Sequence, residues 1–170
     1  MSPKEYLAIV HCIAGLKECT RHAWMKSGRQ ESVAEHSWRM ALMAYFLRDE
    51  FPTVDLTRVL LMALLHDVGE VFTGDIPTFE KTDADRAREH RLRDEWIEAL
   101  PLPYAAEVRA LFSEMDACET EEARLVKALD RMEAVITHNE GDPTTWLPLE
   151  YDLQRTYGVE ESAFSPALRA

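Results

Sequence analysis

Residues 61–72 read Leu-Met-Ala-Leu-Leu-His-Asp-Val-Gly-Glu-Val-Phe, an apolar run that His66, Asp67 and Glu70 interrupt. A helix that is apolar on every side is typical of a protein interior. Burial of an imidazole and two carboxylates is costly unless each has a strong partner, and a divalent cation satisfies all three together. We therefore predict that this stretch is a buried helix and forms half of a metal site.

Length and composition predict one all-α domain. The chain has 170 residues, 46% of them hydrophobic, with only six glycines. No alternating runs rich in Val, Thr and Ile indicate a sheet, so helices with short connections are favoured. We expect a single helical bundle with its core over about residues 5–140 and a C-terminal helix and tail over 145–170.

The charge balance and the cysteines restrict the function classes. A net charge of −12 disfavours binding to a nucleic-acid polymer but permits a small anionic substrate. Cys12, Cys19 and Cys118 form no C-x-x-C pair, which disfavours a thiolate cluster or a disulfide framework. No apolar run reaches the roughly 20 residues that span a bilayer, and the N-terminus is charged where a signal peptide is apolar. The expected location is the cytoplasm, with no membrane association.

Capping signals divide the chain into helices. Ser2 and Ser32 each open a capping box, and the second box places His36 in the first turn of its helix. Asp55 caps the buried helix, which is predicted to end near Gly74. Thr120 caps a helix that runs to about His138. Further helices are predicted over about 83–100 and 104–115, an irregular connection over 17–31, a loop over 75–78, and one weak helix with a loose tail at the C-terminus.

His66 and Asp67 cannot form a closed metal site alone. Neighbouring side chains on a helix diverge by about 100°, so both reach one ion only where helices cross. Further ligands are expected from His36 and Asp130, which lie on or beside apolar faces. Two nitrogens and two oxygens suit Mn, Co, Fe, Ni or Zn and leave positions for water and substrate. Glu70, one turn on, can orient or deprotonate a water in the same pocket.

Four stretches together resemble a known family. They are Arg21, residues 31–37 (Glu-Ser-Val-Ala-Glu-His-Ser), residues 66–77 (His-Asp-Val-Gly-Glu-Val-Phe-Thr-Gly-Asp-Ile-Pro) and residues 125–133 (Leu-Val-Lys-Ala-Leu-Asp-Arg-Met-Glu). In order and spacing the chain resembles the HD-domain metal-dependent phosphohydrolases from about residue 16 to 135. Within them it is most similar to the bacterial 5′-deoxynucleotidases and their eukaryotic relatives of the HD-domain-containing-2 type.

The resemblance implies an all-helical domain that holds one divalent ion, its identity open among Mn, Co, Mg, Fe, Ni and Zn, and that forms a homodimer. The implied metal ligands are His36, His66, Asp67 and Asp130. Glu70 matches a catalytic residue and Arg21 a residue that orients the substrate phosphate. The residues that match the nucleotide site are Asp75, Ile76, Pro77 and Thr78. His22 stands where the bacterial enzymes carry an aromatic residue, which leaves the base and sugar preference open.

The expected reaction is release of phosphate from (deoxy)nucleoside 5′-monophosphates. A phosphate monoester carries close to two negative charges, so an attacking hydroxide needs that charge neutralised. Arg21 offers a bidentate clamp, and Glu70 manages the proton of the water. Asp75 bonds the sugar hydroxyl or assists the leaving oxygen. Lys127, one turn before Asp130, either adds positive charge for the substrate or is a solvated lysine.

Alternatives stay open at this point. The substrate is alternatively a nucleoside triphosphate or a cyclic nucleotide, or the chain is a non-catalytic nucleotide sensor or a scaffold that keeps the metal for stability. Asp130 alone could pair with Lys127 or Arg131, and Glu70 and Asp75 could be a helix-end charge and a turn residue. The run of arginines over 86–93 is most simply a solvated helix face.

Overall fold

The computed structural model describes residues 1–169, and these are mainly helical. The two strands are β1 (Thr20–Trp24) and β2 (Gln30–Ser32). The helices are α1 (Pro3–Ala14), α2 (Val33–Leu47), α3 (Leu56–Leu65), α4 (Glu70–Thr73), α5 (Asp83–Glu98), α6 (Tyr104–Ala117), α7 (Glu121–Glu140), α8 (Glu150–Thr156), α9 (Val159–Ser162) and α10 (Pro166–Arg169). The prediction of an all-α fold is confirmed, with one small hairpin added.

The predicted helix starts are confirmed. The Ser32 hydroxyl accepts from the backbone N–H of Glu35, whose carboxylate accepts from the backbone N–H of Ser32, and Ser2 makes the same capping box with Glu5. Asp55 caps α3, and Thr120 caps α7. These side chains satisfy backbone donors that have no partner inside the helix, so the starts are local properties of the sequence.

Helices α2, α3 and α7 pack around the main hydrophobic core. Apolar residues of all three helices lie in one buried cluster. Phe51 between α2 and α3, Leu111 of α6 and Leu168 of α10 complete this cluster. Burial of such side chains is the main favourable contribution to folding. The fully buried large members are Met40, Val59, Met62, Leu125 and Leu129. A smaller cluster of Val68, Ile97 and Phe112 joins α5 and α6 to the turn after α3.

The prediction of one buried helix from Asp55 to about Gly74 is wrong in two respects. Helix α3 ends at Leu65, and residues 66–69 form a tight turn before α4 begins at Glu70. In that turn Val68 N–H donates to Leu65 O and Glu70 N–H donates to Asp67 O, bonds that tighten the chain. Helix α3 is also not buried all round, because Leu61 and Leu64 are 44% and 45% exposed.

The segment predicted as an irregular connection forms a β-hairpin. Strands β1 and β2 pair antiparallel, with Thr20 opposite Ser32 and Trp24 opposite Gln30. Gly28 in the connecting turn has φ of +84°, a left-handed conformation that glycine adopts at little cost. The hairpin carries Arg21 and His22 to the open end of the helical core.

The C-terminal part holds more structure than the predicted weak helix and tail. Three short helices, α8, α9 and α10, follow α7. Gly158, at φ of +80°, lies against Arg131 of α7, where a Cβ would come within 2.8 Å of the arginine side chain. Close packing therefore fixes this segment on the helical core.

Over residues 1–169, every helix is too short or too polar to cross a bilayer.

Candidate metal centre and its two cavities

Two histidines and two aspartates converge where α2, α7 and the turn after α3 meet. The His66 Nε2 atom lies 2.9 Å from Asp67 Oδ2 and 3.9 Å from Asp130 Oδ1. The His36 Nε2 atom lies 3.4 Å from Asp130 Oδ1 and 3.9 Å from Asp67 Oδ2. The structure thus brings the four predicted ligands together.

Both histidines turn the same nitrogen toward this centre. The Nδ1 atom of His66 donates to the carbonyl oxygen of Ala63, 2.9 Å away. The Nδ1 atom of His36 donates to the Glu133 carboxylate. A hydrogen bond at Nδ1 fixes the ring orientation and leaves Nε2 for a metal ion, which is the usual arrangement around metal-binding histidines.

The donor set fits a divalent cation. The Nε2 atoms of His36 and His66 are both buried and have no hydrogen-bond partner with acceptable geometry. One ligand atom from each of His36, His66 and Asp67 lies within 4.8 Å of the others. Buried polar atoms almost always have partners, so these two nitrogens beside two carboxylates are suited to hold a divalent ion through mixed nitrogen and oxygen ligation.

The ionisable groups at the centre shift one another's pKa values. Burial and the charge of Arg21 lower the pKa of His36, but the carboxylates of Asp130 and Glu133 beside its ring outweigh both and raise it to about 9. Burial raises the pKa of Asp130, yet His36 and His66 hold it well below its usual range. The carboxylates therefore favour positive charge at this position, which a bound cation would supply.

A second buried network stands behind His36. Glu133 is fully buried and also accepts from the Thr137 hydroxyl at 2.7 Å. The guanidinium of Arg21 lies 3.8 Å from Glu133 and 3.9 Å from Glu31, which is 1% exposed. Glu31, His36 and Glu133 are close enough to hold a metal themselves, but Arg21 already offsets the two carboxylates. We interpret this network as the support that orients His36.

Glu70 lies beside the metal centre in a buried position. It begins α4 and is 5% exposed. Burial, together with the charges of Asp67 and Asp75, raises its pKa to about 11. Lys81 opposes this rise, with its Nζ atom 3.9 Å from Glu70 Oε1 and 2.5 Å from Glu89 Oε2. A carboxylate with a perturbed pKa in a cavity next to metal ligands is suited to proton transfer.

Two cavities meet at this site. The polar cavity, of about 250 Å³, contains most of the ionisable groups described above. The second cavity, of about 240 Å³, is mainly apolar and is closed on one side by α8. The residues that line both, and so mark their junction, are Arg21, Asp75, Thr78 and Tyr157.

The cavities collect nearly all the predicted site residues. Ile76 and Lys127 line the polar cavity, with His66, Asp67, Glu70 and Asp130. His22 and Pro77 line the apolar cavity. His36 lines neither cavity, because it is completely buried behind Asp67 and Asp130. The Lys127 Nζ atom is 3.9 Å from Asp130 Oδ2, so the pairing considered from sequence is present at long range.

Four contributors escaped the sequence reasoning: Glu133, Lys81, His138 and Glu150. Glu133 follows Asp130 by three residues, so helical spacing alone placed it on the same side of α7. Lys81, His138 and Glu150 reach the site only through tertiary packing, and the pattern around them carries no signal. The arginine run also differs from its prediction, because Arg93 is buried and pairs with Asp116 at 3.0 Å.

Comparisons with known proteins agree with this geometry. A family model described as HD domain matches residues 13–170. A Schizosaccharomyces pombe protein named 5′-deoxynucleotidase hdd1 is 30% identical over 148 residues, 79% of this chain and 73% of the relative. The Bos taurus 5′-deoxynucleotidase HDDC2 is 31% identical, over 81% of this chain and 68% of the relative. A crystal structure of a predicted metal-dependent phosphohydrolase from Magnetospirillum magnetotacticum matches with a TM-score of 0.76 and 30% identity, over 97% of this chain and 89% of that one.

Proposed function

The chain belongs to the HD domain family, and from this premise we propose that it is a divalent-metal-dependent phosphohydrolase that releases phosphate from (deoxy)nucleoside 5′-monophosphates. Relatives that carry the name 5′-deoxynucleotidase align over more than two thirds of their own length. The proposal rests on the polar cavity, which Arg21, Glu70 and Asp75 line together with His66, Asp67 and Asp130.

We assign His36, His66, Asp67 and Asp130 as the ligands of one divalent ion. The convergence of their side chains and the two orphaned Nε2 atoms support this assignment. When bound, such an ion neutralises phosphoryl oxygens and lowers the pKa of water. Its identity is open among Mn, Co, Mg, Fe, Ni and Zn, because the imidazoles favour the transition metals and the carboxylates also suit Mg and Mn.

Arg21 holds the phosphate in this proposal. Its side chain is mostly buried at the junction of the cavities, and Glu31 and Glu133 fix its guanidinium from behind. Guanidinium groups pair with phosphate oxygens through two parallel hydrogen bonds. Lys127, also on the polar cavity and half exposed, adds positive charge at the rim.

Glu70 and Asp75 divide the proton transfers. A divalent cation beside Asp67 would offset the negative charges that raise the pKa of Glu70, and with Lys81 it would favour the ionised carboxylate that accepts a proton from the attacking water. Burial raises the pKa of Asp75 although Arg21 opposes the rise, so Asp75 is suited to give a proton to the leaving sugar oxygen. The loop with Ile76, Pro77 and Thr78 forms the nucleotide wall, and His22 contributes from β1.

We also propose that the enzyme is a cytoplasmic homodimer. Helix α1 has no fully buried residue, and its apolar side chains Tyr6, Leu7 and Val10 are 40–55% exposed. Helix α2 similarly leaves Trp38 60% and Phe46 75% exposed. Apolar surface of this kind is typical of interaction faces. The three cysteines are free, as expected for a reducing compartment. Light scattering coupled to size exclusion tests the dimer, and a monomer at all concentrations contradicts it.

The first experiment measures phosphate release by the purified, chelator-stripped protein. The substrates are nucleoside monophosphates, triphosphates and cyclic nucleotides, with Mn, Co, Mg and Zn added singly. We expect release from monophosphates only, restored by a divalent ion. Glu70→Gln should lower the rate about 10²- to 10⁴-fold, the range for loss of a general acid or base, while calorimetry shows that it still binds the ion.

Glu119→Gln is the matched control, because Glu119 is exposed and lines neither cavity. It should retain the wild-type rate. Absence of release from every substrate, or an unchanged rate in Glu70→Gln, contradicts the proposal. If no substrate releases phosphate and removal of the metal lowers only the folding stability, the metal site is structural.

A further inference from the structure

The apolar cavity has an unassigned wall made by one face of α8. Glu150, Leu153 and Gln154 line the cavity at the i, i+3 and i+4 spacing of a single helix face, and Tyr157, directly after the end of the helix, lines it too. Arg155, on the same helix, is exposed and lines neither cavity. The helix thus presents one chosen set of side chains to the space beside the phosphate-holding Arg21.

Glu150 fixes this helix in place. Its carboxylate is almost completely buried and accepts from the backbone N–H of Leu147 at 2.6 Å. The His138 Nε2 atom, from α7, lies 3.2 Å from Glu150 Oε1. The His22 Nε2 atom, from β1, lies 3.4 Å from Glu150 Oε2. Contacts to both α7 and β1 hold α8 rigidly over the cavity.

Gln154 is the polar group on this wall that has no partner. Its amide oxygen is buried and makes no hydrogen bond to any of residues 1–169. An unsatisfied buried acceptor costs about 1–3 kcal/mol, so such a group is usually completed by water or a ligand. The last torsion of a glutamine side chain is soft, and its amide can offer either an acceptor or a donor.

The other walls are suited to a flat aromatic ligand. Phe79 and His22 face one another edge to face, with ring centroids 6.0 Å apart, and His22 meets Trp24 in the same manner. Tyr157 closes the junction with the polar cavity, stacked under the guanidinium of Arg131 at 4.6 Å. A planar ring in an apolar cavity gains burial and contact with aromatic edges.

We infer that α8 is the nucleobase-reading element of this enzyme and that Gln154 is its specificity-determining residue. The ligand is the heteroaromatic base of a nucleoside monophosphate, and the Gln154 amide bonds the polar edge of that base. The inference rests on the proposed function, which places the phosphate at Arg21 and hence the nucleoside in the adjoining cavity. Glu150 is a positioning residue that keeps the reading face aligned.

The test compares nucleotides with a substrate that has no base. We would measure kcat/KM for the four deoxynucleoside 5′-monophosphates and for 2-deoxyribose 5-phosphate. Gln154→Leu should lower kcat/KM for the nucleotides roughly 3- to 10-fold, the factor that one hydrogen bond is worth. The same variant should leave the base-free substrate within about twofold. Gln154→Glu, which keeps an acceptor and loses the donor, should shift the ranking toward bases that present N–H groups.

Arg155→Leu is the matched control on the same helix. It should leave kcat/KM unchanged for the nucleotides and for the base-free substrate. Equal losses with and without a base would show a structural role for Gln154 and overturn the inference, as would nucleotide values that do not change. Calorimetric binding of deoxynucleosides, which carry no phosphate, separates this inference from the proposed function. Gln154-dependent binding without hydrolysis would contradict only the proposed function, and hydrolysis with Gln154-independent binding would contradict only the inference.

Discussion

Apolar packing dominates one side of helix α7, and interactions between buried charges dominate the other. On one side Leu125 and Leu129 are completely buried in the apolar core shared with α2 and α3. On the other side Asp130 and Glu133 enter a cluster with His36 and Arg21 in which every charge depends on another. Leu129 and Asp130 are neighbours in sequence, and their side chains diverge by about 100° around the helix.

The apolar side of α7 stabilises the fold, and the charged side serves the site. Apolar packing is non-directional and stabilises the bundle in the absence of any ligand. The charged side repays little of its desolvation by itself, because buried ion pairs at best offset the cost of leaving water. We therefore expect substitutions on the apolar side to change the free energy of unfolding, and substitutions on the charged side to change metal affinity and turnover.

Leu129→Ala should have the largest effect on the apolar side. Truncation of a fully buried leucine costs about 2–5 kcal/mol of unfolding free energy, because it removes buried surface and leaves a cavity. Urea unfolding in the presence of chelator measures the loss. Arg124→Ala, on the exposed side of the same helix, is the control and should stay within about 0.5 kcal/mol. Loss of metal binding by the folded Leu129→Ala protein would contradict the expectation that the apolar side affects stability alone.

Asp130→Asn tests the neighbouring position. Loss of a ligand that faces both histidines should lower metal affinity and turnover by about 10²-fold or more, above the range for groups that only support ligands. Asparagine has the shape of aspartate, and His36 can lose its proton once the Asp130 charge is gone, so the unfolding free energy of the metal-free protein should fall by less than in Leu129→Ala. Calorimetric metal titration and urea unfolding give the two values. A stability loss as large as that of Leu129→Ala would make the charged cluster a structural element.

Glu133→Gln examines the support behind His36. The carboxylate holds the Nδ1 side of the ring, and loss of such a partner costs about 10- to 100-fold in metal affinity. Calorimetry measures the change, with Glu140→Gln as control, because Glu140 is half exposed and contacts Arg39 but not the centre. Equal affinities for both variants would show that packing alone orients His36.

The sequence predicted the parts of this molecule that depend on local signals. Ser32, Asp55 and Thr120 cap helices where their spacing indicated, and the apolar stripes of α3 and α7 follow from period alone. The end of α3 was missed because residues 62–72 continue the apolar run of the helix without a proline or a clear cap, and packing of Val68 against α5 and α6 favours a turn there.

The same limit applies to the two cavities. His66, Asp67 and Glu70 were visible as charges in an apolar run, and His36 and Asp130 as polar residues on or beside apolar helix faces. Family resemblance added Arg21 and Asp75. The hairpin and α8 were not visible. Glu150 meets His22 and His138 from segments 12 to 128 residues away in sequence, and no periodicity encodes such a contact.

The smallest effect is expected for an ion pair at the margin of the apolar core. Arg58 of α3 binds Glu114 of α6, whose other oxygen accepts from the Thr120 hydroxyl at 2.6 Å. Burial raises the pKa of Glu114, but these two hydrogen bonds outweigh it and hold the pKa below 4.5. The pair's contribution is therefore fully present above about pH 4.5 and is lost as the pH falls through the lowered pKa. Arg58 is 37% exposed, so Arg58→Met should cost only about 0.2–1 kcal/mol at pH 7.

That cost should shrink as the pH falls to 4 and below, and 1 M salt should reduce it at pH 7. Urea unfolding of wild type and Arg58→Met at each pH measures this cost, with Arg109→Met as control, because Arg109 forms a more exposed pair with Glu98. A cost that does not depend on pH would mean that Arg58 acts through the packing of its aliphatic stem. Arg58 would then stabilise the fold through apolar packing, as Leu129 does. Among these groups, charge would matter for function only in the cluster around Asp130.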